Sequence, residues 1–185
     1  MKKPIVAVAL TTLLLSLSGC GYAGLGPTTR SAQTVSAQDA VPQTKDEFIK
    51  AAAQHGLKLT AQQLQIISVG RSMQPSGLFA SRPAENLTAE QNLDVHFKKH
   101  GAEMHPPAAT ADEYRQRAVD LAAGRRGAIK FYFDTTSFDK GYQSNVVRWN
   151  PQTKEMTAVR PDGAVTTYYL NYSLKPSRFI EVPVF

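Results

Sequence analysis

Residues 128–134 read Ala-Ile-Lys-Phe-Tyr-Phe-Asp, and at this stretch the chain changes from helical to strand-like periodicity. Large apolar side chains stand at every second position, at Ile129, Phe131 and Phe133. This alternation is typical of a β-strand that buries one face and exposes the other. The stretch therefore predicts that a β-sheet begins here.

Three more strand patterns follow at short intervals, over residues 145–149, 155–159 and 164–170. The last two flank Pro-Asp-Gly at 161–163. Because proline presets its own φ and glycine accepts a positive φ, this tripeptide predicts a tight turn. Short connections favour antiparallel neighbours, so the sequence predicts a meander within a four-stranded antiparallel sheet.

Upstream of the sheet, four segments begin with Thr followed three residues later by Glu or Gln, which is the capping box of a helix N-terminus. Each segment then reaches a glycine, a residue that ends many helices in a left-handed conformation. The predicted helices are 45–55, 61–69, 89–100 and 111–123. The boxes are Thr44/Glu47, Thr60/Gln63, Thr88/Gln91 and Thr110/Glu113, and the glycines are Gly56, Gly70, Gly101 and Gly124.

These elements predict an α+β fold, with an N-terminal helical hairpin followed by two helices packed on the four-stranded antiparallel sheet. The loop at 72–83 contains two prolines and a glycine and predicts a boundary. It separates a small helical segment, residues 44–82, from an α+β domain, residues 88–185.

Length and composition fit this organisation. The 185 residues can bury one core, and 42% apolar with 19% charged residues exclude a wholly disordered or fibrous chain. The single cysteine excludes an intramolecular disulfide framework and a Cys-based zinc finger.

The N-terminus has the pattern of an export signal. Lys2 and Lys3 precede an uncharged, mostly apolar run that closes with Leu-Ser-Gly-Cys at 17–20. This run is short for a membrane span and predicts a signal peptide over residues 1–19. The closing tetrapeptide resembles the bacterial lipobox, which implies that Cys20 is acylated and becomes the new N-terminus.

The residues after Cys20 refine this prediction. Gly21, rather than Asp, resembles lipoproteins that are passed on to the outer membrane, which implies a lipid anchor there that faces the periplasm. Residues 20–43 are rich in small and polar residues and predict a flexible tether. Removal of residues 1–19 takes away two lysines and no acid, which lowers the net charge from +6 to +4. Net charge alone therefore argues only weakly for a nucleic-acid partner.

Two histidines share one side of the predicted helix 89–100. At 100° per residue, His96 and His100 fall beside the apolar Leu93 and Phe97, and Lys99 flanks them. Imidazoles titrate near neutral pH, so such a pair can supply a general acid and a general base. The structural alternative is two histidines packed at the edge of the core.

A metal site is a second alternative, because histidines four residues apart on a helix can bind zinc. His96, His100 and His105 would supply the ligands. The H-E-x-x-H form is absent and no cysteine lies nearby, so the sequence predicts neither a metal nor another cofactor.

The predicted sheet contributes Arg148, Thr167 and Tyr169 as candidate site residues. Thr167 and Tyr169 share one face because strand side chains alternate. Two hydroxyls and a guanidinium on one patch would suit a phosphate, since arginine binds two oxygens in a fixed fork. Their structural alternative is strand packing for Thr167 and Tyr169 and a solvated face for Arg148.

The order of these pieces carries a family resemblance. The motifs are His-Phe-Lys-Lys-His-Gly at 96–101, Thr-x-x-Glu-Tyr at 110–114, Arg-Trp-Asn-Pro-Gln-Thr at 148–153, Val-Arg-Pro-Asp-Gly at 159–163 and Thr-Thr-Tyr-Tyr at 166–169. In this order they resemble the C-terminal ribonuclease domains of bacterial polymorphic toxins, of the barnase/EndoU/colicin/RelE-like superfamily.

The resemblance implies metal-independent cleavage of RNA, tRNA included, by its own 2′-hydroxyl. It assigns catalytic positions to His96 or His100, Lys99, Arg148, Thr167 and Tyr169. The sequence departs from the family where Leu170-Asn171-Tyr172 replaces a proline soon after Tyr169, which leaves Thr166 and Thr167 both open as the matching threonine.

Two functions follow from these expectations. In the first, the chain is an exported ribonuclease or antibacterial toxin, held in check by an immunity partner. In the second, the fold serves as a non-catalytic outer-membrane lipoprotein, a protein-interaction module of the cell envelope whose surface is the helical hairpin at 45–69.

Overall fold

The computed structural model describes residues 40–81, 85–139 and 146–185. The predicted signal peptide, the lipidation site Cys20 and the tether up to residue 39 lie outside the described residues. So do Arg82 and Pro83 of the predicted loop at 72–83, and Asn145 at the start of the second predicted strand. All the described residues belong to one compact unit.

The described residues form an α+β fold with five α-helices and a five-stranded antiparallel sheet, so the predicted fold class is confirmed. The helices are α1 (Lys45–Gln54), α2 (Ala61–Ser72), α3 (Ala89–His100), α4 (Ala111–Ala122) and the short α5 (Thr135–Asp139). A 3₁₀-helix, Gly101–Glu103, follows α3 directly. The strands are β1 (Lys130–Asp134), β2 (Val146–Trp149), β3 (Glu155–Val159), β4 (Val165–Leu170) and β5 (Phe179–Glu181).

The four predicted helix starts are confirmed. Thr44, Thr60 and Thr88 each accept a hydrogen bond from the backbone three residues on, and the Glu or Gln there reaches back to the threonine. At α4, Thr110 accepts from the Glu113 backbone, but the Glu113 carboxylate accepts from the Ala109 N–H at 2.8 Å instead. Each start therefore satisfies N–H groups that a helix leaves without intrahelical partners.

One of the four predicted helix ends is wrong, because α2 continues past Gly70 to Ser72, and α3 ends at His100 as predicted but without a left-handed glycine. Gly56 and Gly124 have positive φ angles of 75° and 74°, as expected for left-handed helix ends. Gly70, however, lies inside α2, where an added Cβ would stand 3.1 Å from Val146 Cγ2. Gly101 has a right-handed φ of −59°, and an added Cβ would meet the Phe97 ring at 2.5 Å. Close packing, and not backbone conformation, requires glycine at Gly70 and Gly101.

The sheet has the order β4-β3-β2-β1-β5, with every pairing antiparallel. Strands β2 to β4 form the predicted meander, and β1 pairs antiparallel with β2. The prediction of four strands missed β5, which returns to pair with β1. Its three residues are too few to show a two-residue repeat in the sequence.

One face of the sheet, here called the inner face, carries the main core. α1 and α2 pack there on Phe133, Val146 and Ile180, and α4 packs on Val165 and Tyr168. A tyrosine in the first turn of α4 fixes this packing, because the buried Tyr114 hydroxyl donates to the Tyr168 carbonyl. Burial raises the pKa of Tyr114 above its usual range, so its hydroxyl stays a donor.

The opposite or outer face carries a smaller cluster of Val147, Met156, Ala158 and Phe179. Tyr169, Trp149 and Leu174 pack against this cluster and remain partly exposed. Leu174 belongs to the segment that links β4 to β5, so this connection covers part of the outer face.

A buried carboxylate ties the inner face to the loop after α4. Glu155 accepts hydrogen bonds from Arg126, Tyr168 and Thr153. Burial would raise the pKa of Glu155, but these bonds outweigh burial and hold the pKa below its ordinary value.

No helix among the described residues combines the length and the apolar character that crossing a membrane requires.

The Glu155 network predicts a specific acid sensitivity. A carboxylate whose pKa is lowered by folding stabilises the protein above its unfolded-state pKa of about 4.3, and this contribution is lost as the pH falls through the folded-state pKa. We expect Glu155→Gln to lower the free energy of unfolding by about 1–3 kcal/mol at pH 7. The difference in the free energy of unfolding between parent and variant should narrow as the pH falls from about 5 to 3, measured by urea titration at each pH. A gap of constant size across this range would show that the carboxylate charge does not matter.

Candidate functional site

The candidate site lies where α3 passes along the edge strand β4. The buried Asn92 side chain of α3 reaches the backbone carbonyl of Thr166 on β4, with Nδ2 and O 3.5 Å apart. Leu93 of α3 joins the inner-face core beside Val165. These contacts fix the direction of α3, so its last turn stands at the level of Tyr169.

An unbroken series of rings connects the helix to the strand. The His96 ring lies 5.3 Å from the Phe79 ring and 6.1 Å from the His100 ring, measured between centroids. The His100 ring in turn lies 5.6 Å from the Tyr169 ring, with an interplanar angle of 32°. The structure thus brings together three of the six predicted catalytic residues: His96, His100 and Tyr169.

A carboxylate orients His100. The Oε2 atom of Glu103 lies 3.0 Å from His100 Nδ1, in an ion pair when the imidazole is protonated. The side chain of His100 is 14% exposed, whereas that of Glu103 is 52% exposed. Because the carboxylate occupies the Nδ1 side, Nε2 is the nitrogen that a reacting group would meet.

Glu103 was not among the residues predicted from the sequence. It stands three residues after His100 but outside α3, in the 3₁₀-helix. That helix forms because the chain continues in a right-handed conformation at Gly101. The sequence predicted a left-handed conformation at Gly101, so it did not place Glu103 next to His100.

Lys99 and Thr167 lie at the margin of the cluster. Lys99 is exposed and forms no ion pair within the part of the chain that the structure describes. Thr167 is partly exposed and points to the outer face, as Tyr169 does. Thr166 is buried at a register irregularity between β3 and β4. Of the two threonines left open by the sequence, Thr167 is the one beside Tyr169.

Arg148 is not brought to this cluster. It is cross-strand partner to Thr157, which is partner to Tyr168, so all three point to the inner face, opposite to Thr167 and Tyr169. The Arg148 side chain is 1% exposed, and burial lowers its pKa to about 10.

The Arg148 guanidinium binds the ends of two helices. Nη1 donates to the Ala122 carbonyl at the end of α4, and Nη2 donates to the Met73 carbonyl after α2, with Gly70 O at 3.4 Å. A cation at helix C-termini satisfies carbonyls that lack intrahelical partners and opposes the negative end of the helix dipole. This placement gives Arg148 a role in the fold and no path to a phosphate on the outer face.

A second arginine is held by a buried carboxylate. Arg178 forms a two-point ion pair with the buried Asp134 at 2.8 and 2.9 Å. The hydrogen bond and charge of Asp134, with a smaller contribution from Tyr169, raise the pKa of Arg178. The sequence offered no signal for this arginine, because it lies outside the strand patterns and the motifs of the resemblance.

Within the described ranges, no group of three or more His, Cys, Asp or Glu side chains is arranged to hold a metal ion. The residues of the metal alternative, His96, His100 and His105, do not form such a group.

No protein-family model, no curated protein and no solved structure matches this chain.

The placement of Arg148 predicts a loss of stability on substitution. In Arg148→Met, the carbonyls at the ends of α2 and α4 lose their donor, and we expect the free energy of unfolding to fall by about 3 kcal/mol. The matched control is Lys99→Met, an exposed position, which we expect to change stability by less than about 0.5 kcal/mol. Urea denaturation measures both variants. Equal stabilities would mean that the guanidinium does not hold the helix ends.

Proposed function

We propose that this chain is a metal-independent ribonuclease whose reacting groups are His96 and His100. The observation that carries the proposal is the juxtaposition of the two imidazoles with Tyr169, together with the Glu103 carboxylate on His100 Nδ1. His96 supplies one imidazole, and His100, held in place by the Glu103 carboxylate, supplies the other. Together they provide the base and the acid that proton transfer in RNA cleavage needs.

The reaction is an attack of the ribose 2′-oxygen on the adjacent phosphorus. One imidazole takes the proton of the 2′-hydroxyl while the bond between O2′ and phosphorus forms. The other imidazole, protonated at the start, gives its proton to the 5′-oxygen as the bond between phosphorus and O5′ breaks. The products are a 2′,3′-cyclic phosphate and a 5′-hydroxyl, and the two imidazoles end with their protonation states exchanged.

The remaining candidates surround the phosphate. Lys99 is exposed beside His100, so its ammonium can approach the charge that develops on the phosphorane oxygens. The hydroxyls of Thr167 and Tyr169 point to the same side of the sheet and would hold the substrate phosphate. Arg148 has no part in this mechanism, because its buried Nη1 and Nη2 groups donate to backbone carbonyls on the inner face.

Export is the second part of the proposal. Residues 1–19 act as a signal peptide, and acylation of Cys20 anchors the chain in the outer membrane, facing the periplasm. Several acyl chains, at about 0.8 kcal/mol for each buried CH₂, give a stable anchor. An exported ribonuclease of this kind fits an antibacterial toxin, which requires an immunity protein in the cell that makes it.

One observation favours the alternative, a non-catalytic interaction module with the helical hairpin as its surface. A cavity of about 230 Å³ lies beside β5, at the sheet edge opposite to the histidines. Its walls include Ala51 and Gln54 of α1, His55 just after that helix, and Val41 and Pro42 before it. A partner in the cell envelope could dock in this groove without using the histidines.

The ribonuclease proposal predicts a ranking of variants. With the full chain purified in detergent and chelator present, we expect His96→Ala and His100→Ala each to slow cleavage of unmodified RNA by about 100-fold or more. Glu103→Gln should slow it less, because the imidazole remains but loses its charged partner. Lys99→Ala should slow cleavage, whereas Lys98→Ala, the neighbouring exposed lysine, should not. Cleavage by the histidine variants at the parent rate, or intact RNA with the parent protein, would rule the proposal out.

The export proposal predicts that Cys20 is the acylated residue. When bacterial cells that express the chain are fed labelled palmitate, the parent protein should carry label and sediment with membranes. The Cys20→Ser variant should carry none and should keep residues 1–19, because cleavage follows acylation in the lipobox pathway. Equal labelling of both proteins would contradict this assignment.

A further inference from the structure

Beyond the histidines, one row of side chains crosses the outer face of the sheet. Tyr169 is the cross-strand partner of Met156, and Met156 is the partner of Trp149. Because neighbouring strands lie about 4.8 Å apart, Tyr169 and Trp149 are about 10 Å apart on the same face. An aromatic side chain thus lies within reach of a nucleotide bound next to the phosphate at His100.

The indole of Trp149 is held in one orientation. Its Nε1 donates to the Asn171 carbonyl at 2.9 Å, and the Tyr132 ring meets it edge-on at 6.1 Å. Asn171 also covers Met156, with Nδ2 3.5 Å from the sulfur, so Met156 is buried while Trp149 remains partly exposed. A fixed, partly exposed ring loses little freedom when a second flat ring stacks on it.

A cation lies over the indole, and a large exposed aromatic residue follows Asn171 along the chain. Tyr172 follows the carbonyl that holds the indole, and it is 67% exposed. Lys154 Nζ lies 5.3 Å from the centre of the Trp149 ring and also donates to the Pro151 carbonyl. Aromatic rings beside a lysine are the combination that binds single-stranded nucleic acid, in which rings stack on bases and the cation meets the backbone.

The charges around the indole favour a polyanion. Lys130 is the cross-strand partner of Trp149, and its Nζ lies 3.1 Å from the Glu181 carboxylate, which also accepts from the Tyr132 hydroxyl at 3.3 Å. Glu155, although adjacent along the chain to Lys154, points to the inner face and is engaged by Arg126. Lys154 therefore contacts no carboxylate among the described residues, so the outer face near Trp149 carries net positive charge.

We propose that Trp149 and Tyr172 form a stacking platform for an unpaired base, which makes single-stranded RNA the substrate class of this site. The inference rests on the proposed ribonuclease function and adds the position of the base to that of the phosphate. A base in a duplex has both faces covered by its neighbours, so it cannot stack on the indole. Lys154 contacts the phosphate of the stacked nucleotide.

The test uses the full chain in detergent and an RNA that cannot be cut. The probe is a ten-nucleotide 2′-O-methyl oligoribonucleotide with all four bases at every position, whose blocked 2′-oxygen cannot attack. Trp149 is the single tryptophan of the chain, so its fluorescence reports on this position alone. We expect saturable quenching by the single strand and none by a blunt duplex of the same chemistry.

Variants assign the contact, with affinity measured by fluorescence polarisation of a labelled probe. We expect Tyr172→Ala to weaken binding about fivefold or more, because base–aromatic stacking contributes about 1–3 kcal/mol per base. Tyr172→Phe keeps the ring and should bind as the parent does, as should the control Val69→Ala on the helical side of the sheet.

Binding without a change in Trp149 fluorescence, binding of Tyr172→Ala at the parent affinity, or no binding of the single strand would each overturn the inference. Quenching by the probe without cleavage of unmodified RNA would leave the platform standing and remove the ribonuclease chemistry. Cleavage of unmodified RNA without quenching by the probe would leave the ribonuclease chemistry standing and remove the platform.

Discussion

The arrangement of this fold depends on one buried guanidinium. Arg148 stands in β2, at the centre of the sheet, and its Nη1 and Nη2 groups donate to the carbonyls at the ends of α4 and α2. Without this contact, two helix C-termini would lie against the sheet with unsatisfied carbonyls, at a cost of about 1–3 kcal/mol for each buried group. The same side chain that suggested a phosphate ligand in the sequence therefore joins the helical layer to the sheet.

The position of α4 determines where the candidate chemistry lies. Tyr114 of α4 packs on Tyr168 and on Phe97 of α3, which leaves α3 along the outer edge of β4. From that edge, His100 reaches Tyr169 on the outer face although its own helix also packs on the inner-face core. The proposed site thus lies around the rim of the sheet, with the histidines on the helical side and the proposed base platform on the outer face.

Sequence patterns predicted those features that local physics controls. Capping boxes predicted all four long helix starts, and the two-residue repeat predicted β1 to β4. Each of these signals is contained within a few neighbouring residues. Glycine is ambiguous in such reasoning, since Gly70 and Gly101 meet packing partners that are not visible in the sequence. Tertiary placement was equally invisible, because it buries Arg148 and pairs Arg178 with Asp134, 44 residues away in the chain. The cluster of His96, His100 and Tyr169 could be proposed because helix and strand periodicity place each residue on a definite face.

The chemical identity of the cut RNA end tests the central claim most directly. Unmodified RNA is incubated with the full chain in chelator, and the fragments are weighed by mass spectrometry. The mechanism predicts a 2′,3′-cyclic phosphate on the upstream fragment and a 5′-hydroxyl on the downstream one, both absent when His100→Ala is prepared in the same way. Fragments that end in a 3′-hydroxyl and a 5′-phosphate, or RNA that stays intact, would contradict an attack by the 2′-hydroxyl at this site.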